Sequence, residues 1–191
     1  MHTGAGVLVT AALGHEGAGR RLVHQLKYTG SPEAARLLGA AMADVVPQQA
    51  TALVPLPRAR IRHWRNGVDP AVALAVIVAK RTGLPMVTAL SPAWWWPRHA
   101  GRSPELRATP SWRSRCAPEP GWVLVDDVAT TGSTIDAAVA VLGDVVRLGV
   151  VATSPGRVGH GMGSQPAPSS WEVAWQVVRG PHRGPGRHAT P

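Results

Sequence analysis

The sequence has little cysteine, lysine or tyrosine and no phenylalanine. Cys116 is the only cysteine among 191 residues, which excludes an intramolecular disulfide and a cysteine zinc cluster. No apolar run reaches the roughly 18 residues of a membrane span. The short apolar stretch over 6–13 has no Lys or Arg before it, which argues against a secretory signal. We therefore expect a cytoplasmic protein that does not insert into a membrane.

Acidic residues are also scarce, since 11 Asp and Glu stand against 20 Lys and Arg, for a formal net charge of +9. Lys27 and Lys80 are the only lysines, so the basic charge is mostly arginine, which suits bidentate phosphate contacts. This charge favours an anionic partner, either a phosphorylated small molecule or nucleic acid. A genome-level preference for Arg, Ala, Gly and Pro codons explains it equally well. The scattered histidines show no metal-ligand spacing, and we expect no structural metal.

Apolar strand patterns alternate with amphipathic helix patterns along most of the chain. Ser31-Pro32 and Asp69-Pro70 are typical helix starts, with a capping side chain before a proline. The patterns predict strands over 6–13, 52–54, 85–90, 121–125 and 149–153, and helices over 16–28, 31–46, 69–83 and 134–146. Strands that alternate with helices imply an α/β fold with a parallel sheet flanked by helices.

Two segments lack this periodicity. Residues 91–120 contain six prolines and are predicted to form a long loop, of the kind that is usually functional or mobile. Residues 154–191 hold seven Gly and six Pro, with four Arg against one Glu. We expect a mostly disordered basic tail there, in which only 171–178 could form an edge strand. The predicted domain is 1–153, with an N-terminal strand and helices over 1–50 and a core over 51–153.

The most informative motif lies at residues 123–134. A buried strand delivers Asp126 and Asp127 to its carboxyl end, where ligands bind in open α/β sheets. A turn of small and hydroxyl residues follows, and then a helix whose first amides and dipole favour a phosphate. Carboxylates beside such a cradle could bind the vicinal hydroxyls of a 5-phosphorylated ribose. The alternative is a surface turn after a core strand.

This motif resembles the phosphoribosyl-pyrophosphate signature of type I phosphoribosyltransferases. Further blocks resemble the ComF (GntX-like) family, in a form without its N-terminal zinc module. They are Glu16-Gly17, Leu26-Lys27-Tyr28, Leu37-Leu38-Gly39, Val54-Pro55-Leu56-Pro57, an Arg-rich loop and Gly67-Val68-Asp69. The resemblance covers roughly residues 8–153 and implies a type I phosphoribosyltransferase fold with a hood of less regular structure.

The resemblance also implies roles for individual residues. Asp126 and Asp127 would be the catalytic pair that binds the ribose hydroxyls, and Arg58 and Arg60 would face the pyrophosphate. Mg2+ would bind only through the ligand, near the two aspartates. Residues 91–120 would be the mobile loop that closes over the reaction, with Arg98, Arg102 or Arg107 on the leaving pyrophosphate. The cradle for the 5-phosphate would comprise Ala129, Thr130, Thr131, Gly132, Ser133 and Thr134.

The implied activity is transfer of a phosphoribosyl group to an unidentified nucleobase or amine. The family is linked to DNA uptake or utilisation, and related folds often form homodimers. This sequence departs from the family at Asn66-Gly67, where Arg-Gly is usual, and at Trp94–Arg102 in the loop. Two alternatives therefore stand beside the enzyme. One is a non-catalytic ligand-binding or DNA-uptake accessory protein with a degenerate lid, and the other is a DNA-binding protein that acts through its charge.

Overall fold

The structure is a computed structural model that describes residues 1–57, 69–92 and 112–155. Within these ranges, β1, β6, β5 and β2 form a parallel sheet in that order, and β3 pairs with β4 in an antiparallel ladder. The elements are β1 (Leu8–Gly14), α1 (Gly17–Thr29), α2 (Pro32–Ala43), β2 (Ala52–Pro55), α3 (Pro70–Thr82), β3 (Leu90–Pro92), β4 (Trp112–Ser114), β5 (Trp122–Val128), α4 (Ser133–Leu142) and β6 (Leu148–Ser154). The expected α/β fold, a parallel sheet flanked by helices, is confirmed and is compatible with a phosphoribosyltransferase-like fold.

Helices cover both faces of the sheet, and alternate residues of β5 supply the two cores. Val123 and Val125 pack with apolar residues of α1, α2 and α3. Trp122 and Leu124 pack on the other face with α4 and with Trp112 of β4. Residues 122–125 of β5 therefore alternate between the two layers, and Val128 at the end of the strand packs with the layer of Val123 and Val125.

Local capping explains where two of the helices begin. The Ser31 hydroxyl accepts a hydrogen bond from Ala34 N at 3.2 Å, and Pro32 occupies the first turn of α2. The Asp69 carboxylate accepts from Ala71 N at 3.1 Å at the start of α3. Both starts agree with the sequence-based prediction, because an N-cap satisfies amides within its own turn.

The helix ends agree less well with prediction. Helix α2 ends at Ala43 and α4 ends at Leu142, whereas the apolar patterns predict helix as far as residues 46 and 146. Gly143 adopts a positive φ of 85° immediately after α4, a conformation that glycine tolerates and that terminates the helix. Val146 is nevertheless fully buried, so its apolar character reflects packing after the helix rather than helix itself.

The strand predicted over 85–90 is mostly absent. Only Met86 bridges to the sheet, beside Leu53 of β2. Pro85 has no amide hydrogen to donate to a sheet ladder, and its carbonyl instead accepts from Leu53 N at 2.9 Å. The chain then leaves the sheet and enters β3 at Leu90.

The segment over 91–120 is not one continuous loop. Residues 91–92 complete β3, and Trp112–Ser114 form β4, which pairs with it. Residues 93–111 of this segment lie outside the described residues, as do residues 156–191 of the predicted tail. At the other end of the chain, β1 pairs with β6, so the segment over 1–50 contributes a strand to the same sheet as the segment over 51–153. In the described ranges, no helix combines the length and apolar character needed to cross a membrane.

Candidate ligand-binding site

Strand β5 lies between β6 and β2 and leads directly to the candidate site. Its residues from Trp122 to Val125 are buried, and Asp126 is the first that is partly exposed. After the strand ends, Ala129 N donates to Thr153 O of β6 at 3.1 Å. This bond holds the first residue of the turn against the neighbouring strand. The turn therefore begins at a fixed point on the carboxyl edge of the sheet, where ligands of open α/β folds bind.

The turn and the start of α4 enclose a small open pocket. Six of the predicted site residues line it, namely Asp126, Ala129, Thr130, Gly132, Ser133 and Thr134, together with Val128 and Ile135. Thr130 and Ser133 are exposed, while Gly132 is buried. The pocket thus combines a carboxylate, hydroxyls and the first turn of a helix, which suits a ligand that carries both hydroxyl and phosphate groups.

Gly132 gives the turn its shape. It has φ 81° and ψ 0° and precedes α4 without a capping side chain. A Cβ at this position would lie 2.7 Å from Thr3 Cγ2, so glycine is required by both conformation and space. The Thr131 hydroxyl lies 3.1 Å from the Ser133 hydroxyl, within the turn. Thr131 itself does not line the pocket.

The N-terminal residues pack against this turn and the helix that follows it. Thr3 is 8% exposed and packs against Gly132. The Asp136 carboxylate, in the first turn of α4, accepts hydrogen bonds from Gly4 N at 3.2 Å and Ala5 N at 2.9 Å. An acidic side chain so close to a phosphate site would repel the ligand if it faced it. Here its oxygens accept hydrogen bonds from the amides of Gly4 and Ala5 instead, so the carboxylate links the start of α4 to the N-terminal residues.

The two adjacent aspartates occupy different environments. Asp126 lines the pocket, and its Oδ1 accepts from Asp127 N at 2.7 Å. Asp127 is not among the lining residues; its side chain is 7% exposed, and its Oδ1 lies 3.0 Å from Lys27 Nζ. Successive residues of a strand point to opposite faces. The structure therefore does not bring both carboxylates to one pocket.

Several predicted contacts fall beyond the described residues, including those of Arg58 and Arg60. The same holds for the contacts predicted for Arg98, Arg102 and Arg107. The structure does describe Pro57, the residue before the arginine-rich loop. Trp112 Nε1 donates to Pro57 O at 3.0 Å, which ties the end of the segment after β2 to β4.

Lys27 and Thr3 are the site-adjacent residues that sequence reasoning missed. Lys27 carries two available signals, because it lies in the Leu26-Lys27-Tyr28 block and is one of two lysines in a chain that otherwise uses arginine. Thr3 carries none, since nothing in its neighbourhood predicts contact with a turn far along the chain. A third case is Thr153, which is fully buried and whose hydroxyl lies 2.8 Å from His15 Nδ1. This contact fixes the histidine at the same edge of the sheet.

The described residues hold no group of three or more His, Cys, Asp or Glu side chains that could bind a metal. Asp126 is the one carboxylate among the residues that line the pocket. Protein-bound Mg2+ commonly uses one or two carboxylates and completes its shell with substrate phosphates and water. One carboxylate at the pocket fits the number that a magnesium ion bound together with a phosphorylated ligand uses.

No protein-family model and no curated protein matches the chain. The resemblance to the ComF family therefore depends on the motifs named above, and the candidate function depends on the pocket at the end of β5.

Proposed function

We propose that the protein binds 5-phosphoribosyl pyrophosphate together with Mg2+ and acts as a phosphoribosyltransferase on a nucleobase or amine. The observation that carries this proposal is the pocket in which Asp126 lies beside the turn from Ala129 to Thr134. A ribose 5-phosphate carries vicinal hydroxyls and a phosphate on one small ring. The pocket offers a hydrogen-bond acceptor for the ribose hydroxyls and hydrogen-bond donors for the phosphate.

Each part of the pocket has a distinct task in this proposal. The hydroxyls of Thr130, Ser133 and Thr134 and the first amides of α4 hold the 5-phosphate, where the helix dipole is favourable for an anion. The Asp126 carboxylate accepts hydrogen bonds from ribose hydroxyls, which are charge-assisted and therefore stronger than neutral ones. Bound Mg2+ would neutralise charge on the pyrophosphate. Arg58 and Arg60, placed by sequence after β2, would bind that same group.

The reaction would displace pyrophosphate from the anomeric carbon through a cation-like transition state. The acceptor nitrogen forms the new bond, the leaving oxygen takes the bonding electron pair, and the acceptor gives up its proton. Fixed charges around the pyrophosphate would supply much of the acceleration. The altered sequence at 94–102 favours a second candidate, a protein that binds the same ligand without turnover in a DNA-uptake role. Release of pyrophosphate on incubation with ammonia or adenine would separate the two.

Calorimetric titration with phosphoribosyl pyrophosphate and MgCl2 tests the binding step. We expect Asp126→Asn to weaken binding by roughly 10- to 100-fold, because hydrogen bonds to a charged group contribute about 1.5–3 kcal/mol. Asp144→Asn is the matched control, since its side chain is 83% exposed and lies beyond the far end of α4. Absence of binding by the wild-type protein, or equal binding by Asp126→Asn, would refute the proposal.

A further inference from the structure

The ion pair between Lys27 and Asp127 links helix α1 to the strand that carries the pocket. Lys27 lies in the last turn of α1, where a cation is favoured by the helix dipole. Its side chain is 26% exposed, and its Nζ lies 3.0 Å from Asp127 Oδ1. An exposed lysine would remain in water, whereas this one has its ammonium against a carboxylate with a 7% exposed side chain.

We infer that Lys27 is a positioning residue for the ligand site and that it acts through Asp127. The inference rests on the proposed function and assigns different roles to the two aspartates. Asp126 faces the ligand, whereas Asp127 anchors the end of β5 to α1. Asp127 therefore does not bind the ribose.

The burial pattern of β5 supports this division. Val123 and Val125 belong to the core beneath α1, α2 and α3, and Asp127 follows them at the same spacing. Rotating the strand end to turn Asp127 toward the pocket would disrupt this register, because side chains alternate along a strand. A carboxylate on this buried face needs a compensating charge. Lys27 supplies positive charge at 3.0 Å.

A short path of contacts connects Lys27 to the pocket. The lysine holds the Asp127 side chain, and Asp127 N donates to Asp126 Oδ1 at 2.7 Å. The orientation of the Asp126 carboxylate thus depends on where the Asp127 peptide lies. Loss of the ammonium removes this positive charge from beside a buried carboxylate, and we expect the strand end to relax. That relaxation moves the hydrogen bond that orients Asp126.

The test is a double-mutant cycle on the affinity for phosphoribosyl pyrophosphate with MgCl2. The variants are Lys27→Met, Asp127→Asn and their combination, with Lys27→Arg as the conservative replacement. Lys80→Met is the matched control, because Lys80 is an exposed lysine in the last turn of α3. Circular dichroism and melting temperature define a temperature at which every variant is folded, and calorimetry is performed there.

We expect Lys27→Met to raise Kd about tenfold in the wild-type background and less than about twofold in the Asp127→Asn background. Lys27→Arg should restore Kd to within about threefold of wild type, since it keeps the charge. Lys80→Met should leave Kd unchanged. Equal effects of Lys27→Met in both backgrounds would show that Lys27 acts independently of Asp127, and would overturn the inference. So would an unchanged Kd in Lys27→Met.

The cycle also distinguishes this inference from the proposed function. If wild type binds, Asp126→Asn binds more weakly as predicted and Lys27→Met binds normally, the proposed function stands and the positioning role is wrong. If wild type itself fails to bind, the proposed function is wrong, and the positioning role for this ligand falls with it. Asp127→Asn could also lose as much affinity as Asp126→Asn, and the loss could persist in the double variant. That result would show that both carboxylates bind the ribose, and it would overturn the separate roles inferred for the two aspartates.

Discussion

Gly132→Ala is the change that most directly tests the geometry of the proposed phosphate turn. Gly132 has φ 81° and ψ 0°, in the left-handed region where an L residue costs about 1–2 kcal/mol. Its new Cβ would also lie 2.7 Å from Thr3 Cγ2 and 3.1 Å from Thr3 Cβ. Thr3 cannot easily move, because it is 8% exposed and its hydroxyl accepts from Val7 N at 3.3 Å.

Gly83→Ala provides a control with almost the same backbone conformation. Gly83 has φ 76° and ψ 1°, and a Cβ there meets nothing within 4 Å. We expect Gly83→Ala to cost about 1 kcal/mol from conformation alone. Gly132→Ala should cost about 2–4 kcal/mol, because overpacking adds about 1–3 kcal/mol. The difference between the two variants therefore measures the contact between Thr3 and the turn.

Thermal unfolding followed by circular dichroism checks these values. For a domain of this size about 1 kcal/mol corresponds to roughly 2–4 °C in Tm, so Gly132→Ala should melt at least ~2 °C below Gly83→Ala. Thr3→Ser removes Cγ2 while keeping the hydroxyl that binds Val7 N. Adding it to Gly132→Ala should recover part of the loss. Equal Tm values for the two glycine variants, or no recovery, would contradict the packing of the N-terminal residues against the turn.

Two further variants test the helices that cover the sheet. Ser31→Ala removes the cap that accepts from Ala34 N at 3.2 Å and should lower the free energy of unfolding by about 1 kcal/mol in urea; an unchanged midpoint would refute the cap. Gly39→Ala places a Cβ 2.7 Å from Ile77 Cγ2, where α2 crosses α3, and should cost about 1–3 kcal/mol in the same assay. Wild-type stability in that variant would contradict the close approach of the two helices.

The order of elements could be predicted because each element carries its own pattern. Helices α2 and α3 begin at Ser31 and Asp69 since capping is satisfied within one turn. The strand predicted at 85–90 is wrong for a reason that lies outside the segment. A strand needs a neighbour over its length, and within 85–90 only Met86 pairs with the parallel sheet, at Leu53, while Leu90 pairs with Ser114 of β4. Such pairing depends on the sheet edge and not on the sequence of the segment itself.

The candidate site shows the same difference between residues that a local pattern predicts and residues that only tertiary packing brings together. The residues that line the pocket all lie within positions 126–135, so one stretch of sequence carries the carboxylate, the turn and the helix start. The residues that support them are remote. Gly4 N and the Asp136 carboxylate that it contacts are 132 positions apart, and no local pattern predicts that contact. Tertiary packing alone brings the N-terminal residues and Lys27 to the turn.

The role of the aspartate pair depends on where β5 ends. The side chains of two adjacent residues point to opposite faces as long as the chain stays extended. In this protein β5 continues through Val128, and both Val125 and Asp126 are paired with β6. Ala129 N then donates to Thr153 O, so extended pairing persists beyond both aspartates. Alternation along the strand therefore assigns them to opposite faces, one to the pocket and one to Lys27. Under the proposed function, the length of the strand, more than the presence of two acidic residues, determines how many carboxylates contact the ligand.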